Sequence, residues 1–503
     1  MEEIKEENKF EDLLADWLET GSNNVKSNPL YLKLLLHTLL GQMFKHVRIT
    51  KRGNAGDVLD GRINMCVIQP QGTGKGLGGK FLNEMCILVD GKLKRLNGIL
   101  TNDGEIGWVL KYGTKSIPFT RLRVYDINDF TDAGIIGSFE QKRDEKDKVI
   151  RGKNGKVVYE QVYGAFSRMV NDIFIFEESS VLSSKSQHKE NVFKYINSTF
   201  DSLHKGNRGY ALLQKPMRGD TVKCATTISG VFMQHPGENM GRRLVESGFY
   251  RRVPTLYNDI SEDIMQSTAK DIFIADKPVS NDVIIKQRKN ICIKLIGAYF
   301  EFLYRNEGRV DIEISYDDNV QRRINQFIDT APSLWSSYKR VGITGVGKTM
   351  QAITTSYIDH MLKIAAHRAL VEGRQIIVED DISYAEQLID ALIERLVVPV
   401  AYAYGASEAK IQEATKGFRD ADEKILKKIE GIYKEKAVRE LKRVELLKLL
   451  EDSGMKQADA RYRLRRLIEN GSLTIIGKQN YDATIKLTIF KFYKDSSKKT
   501  AQT

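Results

Sequence analysis

Two segments of the 503-residue sequence set glycines around a lysine in a way that suits phosphate. Main-chain N–H groups of a Gly-rich turn, a helix N-terminus and one ammonium can together orient and neutralise phosphate oxygens, and the general pattern is GxxxxGK followed by Ser or Thr. The second segment, GITGVGKT (342–349), fits letter for letter, yet SLWSSYKRV before it lacks the apolar run of a central strand. The first, QPQGTGKG (69–76), has Gln69 in place of the opening glycine and Gly76 in place of the hydroxyl residue, but it follows the apolar run INMCVIQ. A phosphate loop needs such a strand to aim it, so the first segment is preferred, with Gly72, Thr73, Gly74, Lys75, Gly76 and Leu77 as its contacts. GITGVGKT reads as a Gly-rich linker before a long helix.

Carboxylates that could complete such a site follow in NDIFIFEESS, where an apolar strand ends in Glu177 and Glu178. Two acids at the carboxyl end of a strand beside a phosphate loop can divide the work, the first supporting a divalent cation and the next polarising an attacking water. Glu177 is assigned to the metal and Glu178 to the water; a strand that merely ends in solvated carboxylates is the plainer reading. Gly76 removes the hydroxyl that usually ligates Mg2+, so water or Thr73 would have to substitute. A site that binds nucleotide with little hydrolysis therefore stays open.

The elements that must hold these residues follow from periodicity. Residues 1–60 read as a helical preface in which Leu13, Leu14, Trp17 and Leu18 share one face and a second helix starts after Pro29. From Ile63 the order is strand, Gly-rich turn, helix. Further apolar strands are expected at 122–127, 173–176 and 225–233, as in a mostly parallel α/β sheet, and helices dominate 283–404. From about Ala421, three helical segments and a β-hairpin give the winged-helix pattern. No internal repeat is seen. The expected domains are a helical segment over 1–60, an α/β core over 61–280, a helical lid over 281–405, a winged helix over 420–495 and a disordered polar tail over 496–503.

Bulk composition narrows the class further. A net charge of +12 favours polyanionic partners. No apolar run reaches the roughly 20 residues of a membrane span, and MEEIKEENKF has neither the basic start nor the apolar stretch of a secretory signal. The expected location is the compartment where the chain is made, the cytoplasm or that of a host. Cys66, Cys86, Cys224 and Cys292 are too scattered for a zinc pair or a disulfide framework.

Taken in order, these motifs resemble the minichromosome maintenance helicases, AAA+ ATPases, and their relatives on mobile elements and viruses. FTDAGIIGS (130–138) resembles the segment opening that family's helix-2 insertion, and VYGAF (162–166) the one closing it. GFYRRV resembles its arginine-finger turn, and HMLKIAAHRALVEGRQIIVEDDISYAEQLID its helical lid. The likeness spans about residues 45–400. It implies an α/β AAA+ P-loop core with an α-helical lid, ATP and Mg2+ as cofactors, DNA as partner, and a homo-hexameric ring. It also implies Gln234 as a polar sensor and Arg252, beside Arg251, as a finger reaching a neighbouring subunit's nucleotide. The family has Ser after the loop lysine, Asp before the catalytic Glu, and a sensor arginine near Ser356; here stand Gly76, Glu177 and no arginine, so Lys348 or Lys363 would replace the last. Its N-terminal collar has no room in the residues before the first strand.

The same resemblance points to DNA contacts. FEQKRDEKDKVIRGKNGKVVYE resembles a polar hairpin aimed into the ring channel, with Lys142, Arg143, Lys153 and Lys156 on phosphates; Asp144, Glu145 and Asp147 dilute that charge, and a solvated loop is the other reading. SLHKGNRGYALLQKPMRGD corresponds to a presensor hairpin with Lys205, Arg208, Lys215 and Arg218. In the winged helix, Arg461, Arg463, Arg465 and Arg466 lie on a recognition-type helix and Lys478 at the wing tip, while Leu464, Leu467 and Ile468 face the core. The function expected is an ATP-driven DNA helicase or translocase acting in replication. A nucleotide-gated initiator or loader with weak turnover is the alternative, and an AAA+ transcriptional activator a further one.

Overall fold

The computed structural model describes residues 9–25, 28–52, 57–70, 73–95, 99–100, 107–112, 115–120, 122–126, 132–168, 172–177, 187–217, 220–236, 242–258, 281–334, 342–436, 440–455, 460, 463–464, 467, 473–476 and 484–487. Met1–Ser336 with Thr344–Gly405 make one compact unit, and Ser337–Ile343 with Ala406–Thr503 make a second. The boundaries expected near 60 and 280 fall inside the first unit.

Helix α1 (Lys9–Val25) packs its Leu13, Leu14 and Trp17 face inward, and the Trp17 indole donates to the Leu32 carbonyl at 2.8 Å. Helix α2 (Pro29–Met43) begins where it does because Pro29 suits a first turn and the Asn28 side chain accepts from the Leu30 N–H at 2.9 Å. Nearly every residue of α2 is buried, as a helix apolar on all sides requires.

Among the described residues, five strands form the central sheet: β1 (Met65–Ile68), β2 (Val124–Asp126), β5 (Ile173–Phe176), β8 (Ser229–Gln234) and β9 (Thr255–Tyr257). Their spatial order is β9-β1-β8-β5-β2, and every pairing is parallel. Such strands are covered on both faces, and β1, β5, β8 and β9 are buried at every residue. The register sets Ile68 against Gln234, Phe176 against Phe232 and Ile175 against Asp126, so the carboxyl ends share one edge. Helix α3 (Lys75–Arg95) leaves that edge after β1.

Two of the hairpins that precede β8 carry cations expected to meet DNA. One pairs β3 (Gly137–Gln141) with β4 (Tyr159–Tyr163), and the other pairs β6 (Ala211–Met217) with β7 (Asp220–Thr226). The single strand expected over 225–233 is thus two elements. Ala225 and Thr226 close β7, and a break at Thr227 and Ile228 is fixed by the carbonyls there, which accept from the Gln42 amide at 3.3 Å and the Arg62 guanidinium at 3.1 Å. Uniform apolarity hid that break in the sequence.

The expectation of no internal repeat is corrected at the end of the β3–β4 hairpin. RDEKDKVI (143–150) and RGKNGKVV (151–158) form two successive small lobes with matching bonds. In one, Asp144 N–H donates to the Lys148 carbonyl and Asp147 N–H to that of Asp144; in the other, Gly152 N–H donates to Lys156 and Gly155 N–H to Gly152. Lys142, Ile150 and Val158 close a ring of three backbone bonds of 2.8–3.0 Å that joins both lobes to the stem. Only Arg, Lys and the first Val recur at matching positions, too few to stand out in the sequence.

Helices α5 (Asn281–Arg305), α6 (Asp318–Leu334), α7 (Val346–Val371) and α8 (Glu379–Ala403) complete the unit, with α7 against α8. Before β1, Asp60 and Arg62 form a buried ion pair at 2.9 Å. Arg62 also donates to the carbonyls of Thr199, Ile228 and Asp201, while the Asp60 carboxylate accepts from Leu203 N–H and lies 3.6 Å from the Lys363 ammonium. Above this clamp, His367 Nε2–H donates to the Gly61 carbonyl at 2.7 Å. That bond leaves His367 Nδ1 to accept from His37 Nδ1–H at 3.2 Å, and His37 Nε2 to accept from the Tyr384 hydroxyl at 3.0 Å. Burial holds both imidazoles neutral, pushing His367 down to about 4 and His37 well below its usual range.

In the second unit, α9 (Glu408–Glu435) and α10 (Arg443–Asp452) pack on a small antiparallel sheet of β10 (Glu440–Lys442), β11 (Leu473–Ile476) and β12 (Thr484–Leu487), in the order β10-β12-β11. Ile429, Leu446, Leu450, Leu464, Leu467 and Leu473 form its core. Among the described residues, no helix is long and apolar enough to cross a membrane.

Candidate phosphate-binding site

At the carboxyl edge of the sheet, Gly74, Lys75, Gly76, Leu77, Lys80, Asn83, Asp126, Glu177 and His235 line a cavity of about 610 Å³. That volume falls within the roughly 300–1,000 Å³ common for small-molecule sites. The buried strand β1 aims the loop, and α3 begins at Lys75, so its first-turn N–H groups face the cavity. Gly74 takes a φ of +89°, a conformation that favours glycine, to turn the chain into the helix.

Gln69, the departure from the usual opening glycine, is fully buried and braces the loop. Its side-chain N–H donates to the Thr73 carbonyl at 2.5 Å, and its side-chain oxygen accepts from Asn258 at 3.3 Å. Asn28, the cap of α2, donates in turn to the Asn258 side-chain oxygen at 3.3 Å. Tyr31 of α2 donates its hydroxyl to the Lys75 carbonyl at 2.9 Å. A carboxamide relay and one phenol thus tie the helical preface to the phosphate loop.

Lys75 donates to the Gln234 carbonyl at 2.9 Å and to His235 Nδ1 at 3.0 Å. Burial pushes its ammonium down to about 8. Phosphate would favour the charged form, so binding below pH 8 finds the proton already in place, whereas binding above it must take one up. Nucleotide affinity is therefore expected to fall between pH 8 and 9.5, by up to about tenfold per unit, in wild type but not in Lys75→Ala; isothermal titration across that range checks it, and a flat wild-type profile would refute it.

Glu177 stands at the end of β5, and a Cβ built on Gly76 would lie 3.9 Å from Glu177 Oε1. The missing hydroxyl position thus faces the carboxylate that would share a metal with it. Thr73 is placed otherwise. It is buried, donates to the Pro70 carbonyl at 2.5 Å and is not among the cavity-lining residues. Among the described residues no cluster of three or more His, Cys, Asp or Glu could hold a metal alone; Mg2+ commonly takes one or two carboxylates with waters and substrate phosphates, which Glu177, with Asp126 nearby, can supply.

Gln234, at the end of β8, is buried, and its side-chain nitrogen has no partner among the described residues. An orphan donor of this kind carries a penalty of about 1–3 kcal/mol, but Gln234 is not among the residues lining the cavity. Arg252 lies exposed in α4 (Phe249–Arg252), its guanidinium on the Ser247 carbonyl at 3.4 Å, and does not line its own chain's cavity. Gly72 and Glu178 lie outside the described residues, as do Arg218, Arg461, Arg465, Arg466, Ile468 and Lys478.

GITGVGKT follows helix α6 rather than a strand among the described residues, and it enters α7 through Gly345 at a φ of +92°. Lys348 is exposed there; Lys363 is buried, donating to the Arg62 carbonyl at 2.9 Å, and so is committed to the core. Lys142, Arg143, Lys153 and Lys156 are exposed on the two lobes, and Lys205 and Arg208 are exposed before β6, with Lys205 paired to Asp201 at 2.8 Å. Lys215 differs from its expected role as a phosphate contact. Strand alternation turns it inward with Ala211 and Leu213, and it is 9% exposed.

Sequence reading missed Tyr31, Asn28, Asn258, His235 and Asp126. Asp126 had a signal, the carboxyl end of an expected strand; the others reach the loop only through the fold. Compared with known proteins, the chain matches no family model and no curated protein.

Proposed function

We propose that this chain is an ATP-driven DNA helicase or translocase of the AAA+ class, resembling the minichromosome maintenance helicases and acting in DNA replication as a homo-hexameric ring. The observation that carries the reading is Lys75 at the start of α3 sharing one cavity with Glu177, each at the carboxyl end of a buried parallel strand. The order β9-β1-β8-β5-β2 supports the class, because it sets the loop strand beside the strand of Gln234 and places the acid strand next along. Lys75, Gly74 and the first turn of α3 would hold the phosphates, and Glu177 would support Mg2+, which supplies charge neutralisation. Glu178 would polarise water, and Arg252 would act across subunits, where fingers measured in GTPases contribute about 10³–10⁵ in rate. The small three-stranded sheet and helices of the second unit support a winged helix.

Gly76 favours a second reading, a nucleotide-gated initiator or loader with weak turnover. ATP hydrolysis measured with and without single-stranded DNA separates the two. DNA-stimulated turnover is expected, and Gly76→Ser, which meets only the Glu177 carboxylate, should raise it by about 10-fold or more, at least what metal outer-shell partners contribute. Tight ATP binding with no hydrolysis in either protein would favour the binder.

A further inference from the structure

The two lobes of the β3–β4 hairpin share a backbone but not a charge. The lobe 143–150 sets Arg143, Lys146 and Lys148 against Asp144, Glu145 and Asp147 and is neutral; the lobe 151–158 carries Arg151, Lys153 and Lys156 with no carboxylate. The difference is built into one turn position. Asp147, with a φ of 62°, and Gly155, with a φ of 72°, occupy the same place in their lobes. In each lobe the arginine donates to that residue's carbonyl, at 3.2 Å from Arg143 and 3.0 Å from Arg151. In the first lobe the Asp147 carboxylate also pairs with Arg143 at 3.0 Å, whereas no carboxylate among the described residues pairs with Arg151, Lys153 or Lys156. All three of those cations are exposed, and the stem below presents Tyr159 at 41% and Tyr163 at 58% exposure on one strand face.

We infer that the lobe 151–158 alone grips the phosphodiester backbone of a single strand, with the exposed tyrosines of the stem as stacking surfaces, and that Asp147 switches off the same capacity in its twin. Unpaired cations gain most from phosphate because binding releases condensed counterions, and aromatic faces accept any base. A cation already paired with a carboxylate must give up that partner first. This assignment rests on the nucleic-acid reading above.

The turn position allows a reciprocal test in the full-length chain. Gly155→Asp meets no atom within 4 Å and takes a φ that Asp147 already adopts, so it keeps the fold while supplying Arg151 with a counter-ion. Asp147→Gly frees Arg143. Binding to a fluorescent oligothymidylate is followed by anisotropy over a series of salt concentrations. Gly155→Asp is expected to weaken binding about five-fold at 0.1 M salt and to flatten the log–log salt slope by about 0.7, the share of one phosphate contact on a single strand, while Asp147→Gly strengthens and steepens it by similar amounts. Wild-type binding that neither exchange alters, or that both shift in the same direction, overturns the lobe assignment and leaves the ATPase reading standing. A wild type that binds no oligothymidylate overturns both the assignment and the DNA part of that reading.

Discussion

Lys75→Ala is expected to lower ATP turnover by about 10²–10³-fold, the scale set by removing one preorganised donor from developing charge, while Lys348→Ala turns over ATP at the wild-type rate. The two lysines sit in similar letters and different physics. Lys75 follows a strand buried at all four residues and reaches into the cavity shared with Glu177. Lys348 lies exposed in the first turn of α7, after a glycine corner with no strand before it among the described residues. Alanine at position 75 keeps the carbonyl that accepts from Tyr31, so α3 stays anchored and the loss reports on the ammonium alone. Steady-state hydrolysis with fluorescent-nucleotide binding decides it. Loss in Lys348→Ala with Lys75→Ala intact would transfer the site to GITGVGKT.

Asp60→Ala should destabilise the first unit by about 3–5 kcal/mol, because it strands a buried guanidinium without its anion. Arg62 is 2% exposed, and the Lys363 ammonium lies close by, so Arg62 would be left with only carbonyls, and Lys363 with the Arg62 carbonyl and the field of Asp359. Burial alone would raise the Asp60 carboxyl, but Arg62 and Lys363 hold it well below the usual carboxylate range. A carboxyl depressed in the folded state contributes stability above its unfolded value, near pH 4, and loses it as pH falls toward its folded value. The gap between wild type and Asp60→Ala in urea unfolding is therefore expected to be widest near neutrality and to narrow below pH 4. A gap under 1 kcal/mol at pH 7 would show that the clamp holds little.

Part of the sheet could be read from the chain because β1 and β5 are short, wholly apolar runs. Ile173–Phe176 was placed to the residue, and INMCVIQ contains β1. The preference for QPQGTGKG over the better-matching segment also came from that strand. What stayed hidden is long-range or repeated only in shape. The Gln69–Asn258–Asn28 relay joins residues far apart in sequence, so no local pattern announces it. The twin lobes keep few identical letters, and their likeness lies in hydrogen bonds and in one left-handed residue per lobe. Lys215 was misplaced because its cationic type was weighed above the alternation of its strand.

The hold of α2 on the loop also limits how the site can be moved about. Tyr31 presses against Gly78 so closely that a Cβ there would strike its ring, and Asn28 reaches Gln69 through Asn258. A segment starting at β1 would carry all the recognisable phosphate letters and yet lack two of the groups that shape them. In engineering terms the loop is no portable cassette: a transplanted piece that is to keep its shape must include Asn28 and Tyr31, so helix α2 belongs to the candidate site along with the glycines.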